Sequence, residues 1–133
     1  MYRERLVQFE KAVAQKLYKS GLIDNINNYF NEEDEADIMS WDEMEAKKIY
    51  NKICEWANNK LRVGGLRVGY SPFCLYVKRN CNKCGFGKRH GECGDDESIM
   101  GKIDKKFMIE NTDNILTQSF YKNVIRQIEE MIK

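Results

Sequence analysis

The sequence predicts an α+β fold: three main helices packed with a small antiparallel sheet, from which a cysteine-rich loop extends. Three observations carry that expectation. Apolar residues recur at spacings of three and four near the N-terminus, through residues 40–60 and at the C-terminal end. Between residues 61 and 78 the pattern changes to alternation, with glycines placed as turns. Four of the five cysteines then fall between Cys74 and Cys93. A chain of 133 residues makes one domain by length. Its expected parts are a helical 1–60, a β and metal-binding segment 61–94, and a C-terminal helix over about 112–133.

The first helix is expected over roughly 3–20, with Leu6, Phe9, Val13 and Leu17 as its stripe and Val7 and Ala14 beside them. Gly21 sits where a helix-terminating residue of positive φ belongs. Ile23, Ile26, Tyr29 and Phe30 suggest a short second helix or an apolar turn. The acidic stretch 31–39 reads as an exposed loop. "SWDE" reads as a capping box that starts a helix at Ser40 and runs to about residue 60. Its stripe is Ile49, Tyr50, Ile53, Trp56, Ala57 and Leu61, with Cys54 on its edge as a core cysteine.

In "LRVGGLRVGY", Gly64–Gly65 reads as a hairpin turn. Phe73, Leu75 and Val77 alternate with Cys74, Tyr76 and Lys78 as a half-buried strand would. "GDDES" is a turn, and "IMGKIDKKFMIENTDN" suggests a short strand or turn. The last helix is capped by Thr112 or Asp113, with Ile115, Leu116, Phe120, Val124, Ile128 and Met131 as its stripe and Ile125 beside it.

Composition excludes some classes. No apolar run reaches the roughly 18 residues of a membrane span. The start, "MYRERLVQFEKAVAQK", has no apolar signal-peptide core. A cytoplasmic location without membrane contact is the expectation. An odd number of cysteines in a reducing compartment argues against a disulfide framework and toward a bound metal.

Cys81-x-x-Cys84-Gly85 followed by His90-x-x-Cys93-Gly94 gives C-x2-C-x5-H-x2-C, a Cys3His set that suits a closed structural zinc site. The glycines let the chain turn so that backbone N–H groups point at the sulfurs. The segment resembles a zinc knuckle in general form; in the retroviral type the histidine comes earlier and the last cysteine later. Cys74 is an alternative fourth ligand in place of His90. Four sulfurs would hold zinc or an iron–sulfur cluster.

The net charge of +1 hides a segregated layout. Residues 31–46 hold eight carboxylates and no Lys or Arg, whereas residues 60–93 hold eight Lys or Arg and one carboxylate, Glu92. Lys78, Arg79, Lys83, Lys88 and Arg89, with Phe86 and the neighbouring Tyr70, Phe73 and Tyr76, mix cations with aromatics as nucleic-acid binding requires. A basic surface facing the acidic stretch of the same chain or of another subunit is a further reading of the same residues. The acidic face, with Glu32, Glu33, Asp34 and Glu35, could instead dock a basic protein partner, in the manner of a phage-type inhibitor that mimics nucleic acid.

No Walker loop, G-x-S-x-G or H-E-x-x-H motif is present. "HGE" lacks the following P-C-x-x-C of a zinc deaminase. The sequence therefore points to a small, non-enzymatic, zinc-stabilised binding protein that contacts nucleic acid through residues 60–90, with protein docking through residues 31–46 as the alternative.

Overall fold

The computed structural model describes residues 1–60, 71–92, 94–95, 97–110 and 118–132. The hairpin expected at Gly64–Gly65, the cap expected at Thr112 or Asp113, and Leu61, Tyr70, Cys93, Ile115 and Leu116 lie outside them. Helices follow in the order α1 (Tyr2–Lys19), α2 (Glu32–Met39), α3 (Glu43–Glu55), α4 (Pro72–Tyr76), α5 (Gly85–His90), α6 (Ile99–Glu110) and α7 (Gln118–Ile132). Short 3-10 turns occupy Ile26–Asn28 and Cys81–Lys83, and a π turn, Trp56–Lys60, prolongs α3. None of the helices described is long and apolar enough to cross a membrane.

The α+β expectation does not hold: among the described residues there is no strand and no sheet. The alternating segment from Phe73 to Val77 is a turn of helix. Ser71 accepts the Cys74 N–H through its hydroxyl at 3.3 Å, and Pro72 takes the first helical position, where its missing N–H costs nothing. Six alternating residues were too short a window to decide between periods of 2 and 3.6.

The acidic stretch is also helical rather than a loop. Asn31 Oδ1 accepts from Asp34 N at 3.0 Å while Asp34 Oδ2 accepts from Asn31 N at 3.0 Å, a reciprocal capping box. Four carboxylates in the first turn also suit the positive end of the helix dipole. The capping box expected at Ser40 is absent, because Ser40 ends α2 and Asp42 starts α3 by accepting from Met44 N and Glu45 N. The segment expected to be a strand or turn near residue 100 is α6, started by Ser98 Oγ accepting from Gly101 N at 3.0 Å.

α1 is the centre of the packing and meets α2, α3 and α7. Its six expected apolar residues are all buried, and so is Glu10. α3 buries Ile49, Tyr50 and Ile53 as expected, Trp56 and Ala57 continue the stripe, and Cys54 packs half-buried against the core. On α7 the inner positions are Tyr121, Val124, Ile125 and Ile128, while Met131 is exposed. Tyr121 lies against Phe9 and Trp56, with ring centroids 5.8 and 4.7 Å away.

Candidate functional site

Elements α2 to α5 bring the charged and aromatic residues together. α1 holds the α2–α3 junction from below. Glu43 at the start of α3 accepts from the Tyr2 backbone and, at 2.9 Å, from Arg3 Nε. Arg3 Nη1 also donates to the carbonyls of Met39 and Trp41, at 2.9 and 3.2 Å. Trp41 is thereby fixed between the two helices. Its indole stacks on Tyr76 of α4 with centroids 4.2 Å apart and planes 8° from parallel, and meets Phe73 edge-on at 5.8 Å.

α5 depends on its cysteine. Cys84 is the residue before the helix, and its sulfur accepts the Gly87 N–H at 3.3 Å, the part a serine usually plays. Cys81 lies one 3-10 turn earlier, half-buried, and Cys74 on α4 is buried. Burial pushes the Cys84 thiol up, so it is not an activated thiolate. Phe86 is 1% exposed and packs against Tyr29, Phe73 and His90, at 5.5, 5.2 and 4.5 Å between centroids. It anchors α5 in the core and offers no ring face for a base.

The last two residues of α5 meet α2. His90 Nε2 lies 2.7 Å from Asp34 Oδ2, Arg89 Nε donates to Asp34 Oδ1 at 2.8 Å, and Arg89 Nη2 pairs with Asp37. Asp34 is fully buried. Burial alone would raise its carboxyl, but His90, the Asn31 backbone and Arg89 together hold it below the ordinary value. Gly85 makes room for this clasp: a Cβ there would collide with Asp37 Oδ2 and crowd Arg89. Of the basic segment, Arg89 and His90 thus face the acidic stretch of the same chain, which matches one reading of the charge pattern for these two residues and not for the lysines.

This arrangement divides the expected site residues. Arg89 is spent on the clasp and Phe86 on the core. Of the expected docking carboxylates, Asp34 is buried and Glu35 pairs with Lys11 at 3.3 Å, while Glu32 and Glu33 stay exposed and Glu33 lies 3.8 Å from Arg89. Lys78, Lys83 and Lys88 are exposed and make no ion pair with the described residues, and Arg79 is exposed beside Lys78. As for metal, no three His, Cys, Asp or Glu among the described residues are placed to share an ion. His90 directs one ring nitrogen at Asp34, which leaves Nδ1 as the only nitrogen it could offer a metal.

A groove of about 300 Å³ is lined by Trp41, Phe73 and Tyr76 together with Asp37, Lys83 and Lys88. Trp41 and Asp37 were not foreseen as site residues. They come from the acidic half of the sequence and reach the basic half only through the α2–α5 contact, which leaves no local pattern.

The fold and the site together define a small protein, helical throughout its described residues, with a basic and aromatic groove held by an internal acidic clasp. Comparison with protein-family models, with curated proteins and with solved structures returned no match.

Proposed function

We propose that this protein is a non-enzymatic binding protein whose α4–α5 surface contacts nucleic acid. The observation that supports this reading most is the set of lysines left over once the clasp has formed. Lys83 and Lys88 line one groove, and Lys78 follows Val77, which lines it too. Long side chains with ammonium groups in solvent bind phosphates by releasing condensed counterions, and each phosphate neutralised on a single strand steepens the salt dependence by about 0.7 in log–log slope.

The test is fluorescence anisotropy of labelled DNA and RNA oligonucleotides across a salt series. The affinity is expected to fall steeply with salt, and the Lys78→Ala, Lys83→Ala, Lys88→Ala triple variant to lose about 2 in slope. Affinity that ignores salt, or a triple variant with the parental slope, overturns the reading.

Zinc belongs to this proposal on the same segment. Cys84 starts α5 through its sulfur, and Cys81 sits one turn before it. An ion held there with other cysteines of the cluster would fix the start of the helix that carries Lys88. One equivalent of zinc is expected by elemental analysis, lost in Cys81→Ser/Cys84→Ser. Metal-free protein with full affinity would remove zinc from the reading.

A further inference from the structure

The proposed phosphate contacts use the lysines but leave the groove that Lys83 and Lys88 line without a role. Its wall is a stacked pair of rings. Trp41 is 6% exposed and covers one face of Tyr76, which is itself 37% exposed. A tyrosine clamped in this way has already lost the freedom that a stacking partner would otherwise have to remove, so a planar ligand meets a preorganised surface. The volume of about 300 Å³ is at the small end for ligand pockets, which run from roughly 300 to 1,000 Å³. Its volume suits one flat heterocycle and is too small for a base pair with its backbones.

Charge complements shape. Lys83 and Lys88 line the same groove as the ring pair. The carboxylate among the described lining residues, Asp37, is paired with Arg89, which it shares with Asp34. A ligand with an aromatic centre and more than one anion beside it fits two lysines and a ring in one groove: a nucleotide within a strand, with phosphates 5′ and 3′ of its base. In a duplex the base is stacked and paired and cannot enter, whereas in a single strand stacking on an aromatic residue is the main base contact.

We propose that the groove takes one unpaired base of a single-stranded nucleic acid, stacked on Tyr76, with Lys83 and Lys88 on the flanking phosphates. The proposal rests on the nucleic-acid reading above and adds the strand state and the residue that reads it.

The experiment compares a labelled 12-nucleotide single strand with a duplex of the same length, at one salt concentration, for the parent protein and for Tyr76→Ala and Tyr76→Phe. The parent is expected to prefer the single strand. Tyr76→Ala is expected to weaken single-strand binding by about 5- to 150-fold, the range for losing one base–aromatic stack, and to bring the single-strand to duplex ratio toward one. Tyr76→Phe keeps the ring and is expected to restore the preference. Because rescue by phenylalanine is part of the result, loss through misfolding of the alanine variant is not mistaken for loss of stacking. Equal binding of both strand types by the parent, or an unchanged ratio in Tyr76→Ala, overturns the groove proposal and leaves nucleic-acid binding standing. Binding to neither overturns both.

Discussion

Two helices in this protein end in the same hydrogen-bond pattern. At the end of α1, Leu22 N donates to Leu17 O and Gly21 N to Tyr18 O, with Gly21 at φ 75°. At the end of α4, Arg79 N donates to Cys74 O and Lys78 N to Leu75 O, with Lys78 at φ 55°. Both are Schellman endings, whose left-handed residue is usually glycine because it has no Cβ to clash. Lysine there costs about 1–2 kcal/mol of backbone strain, more than the roughly 0.5–1 kcal/mol that glycine loses in chain entropy. Lys78 is therefore a residue that folding alone does not favour, which agrees with the contact proposed for it. Lys78→Gly is expected to leave the protein as stable or more so, by about 0.5 kcal/mol in urea unfolding, while its salt slope for single-stranded nucleic acid falls by about 0.7. A variant that is less stable with an unaltered slope would assign Lys78 to the fold and not to binding. The glycine of the first ending was legible in the sequence because Gly21 announces itself; the second was hidden because lysine signals nothing about φ.

Among the elements, the long amphipathic helices α1, α3 and α7 could be read from periodicity, since over 13–18 residues the 3.6 period has several turns in which to repeat. The short ones could not. α4 and α5, five and six residues long, are specified by their first residues: Ser71–Pro72 for one and the Cys84 sulfur for the other. Cys84 was legible as chemistry, but its part in starting a helix was not. α2 was obscured by its charge, because buried Asp34 looks like its solvated neighbours until α5 is placed against it. The α2–α5 clasp leads to an ordering of two carboxylates. Asp34 is buried and holds both Arg89 and His90, so Asp34→Asn is expected to cost roughly 3 kcal/mol, the low end for breaking a buried pair, because Arg89 keeps Asp37. Asp37 is 42% exposed, and Asp37→Asn is expected to cost no more than about 1 kcal/mol. Chemical denaturation of the two variants checks the order, and equal losses would mean that the clasp draws nothing from its burial.

At the scale of the whole molecule, the group that couples the elements is one that periodicity placed among polar positions. Glu10 is fully buried on α1 and lies near Tyr29, Asp34 of α2, Cys74 of α4 and Tyr121 of α7. Burial pushes its carboxyl up to about 8; the nearby Tyr29 hydroxyl opposes the shift, and the charge of Asp34 adds to it. The folded chain thus keeps a proton on Glu10 that the unfolded chain releases near pH 4.5. Between those two values the native state binds more protons than the unfolded state, so stability falls as pH rises, by about 1.4 kcal/mol per pH unit from this one group. The contribution is complete below about 4.5, is lost progressively up to about 8, and is flat beyond. This opposes the acid side, where Asp34, held below its ordinary value, contributes stability that disappears as pH drops through its folded pKa. Taken by themselves, these two groups contribute most on the acidic side of neutrality. Glu10→Gln keeps the shape of the side chain and cannot ionise. Its urea midpoint is expected to stay level from pH 5 to 8 where the parent's declines, with the variant ahead by several kcal/mol at pH 8. A parent that gains stability across that range, or a variant that declines in parallel with it, would show that the proton resides elsewhere. Because Glu10 faces the helices that carry the clasp and the groove, its ionisation in the folded chain would strain α2 and α4 together, and nucleic-acid affinity is expected to weaken as pH rises through about 8 in the parent and not in Glu10→Gln.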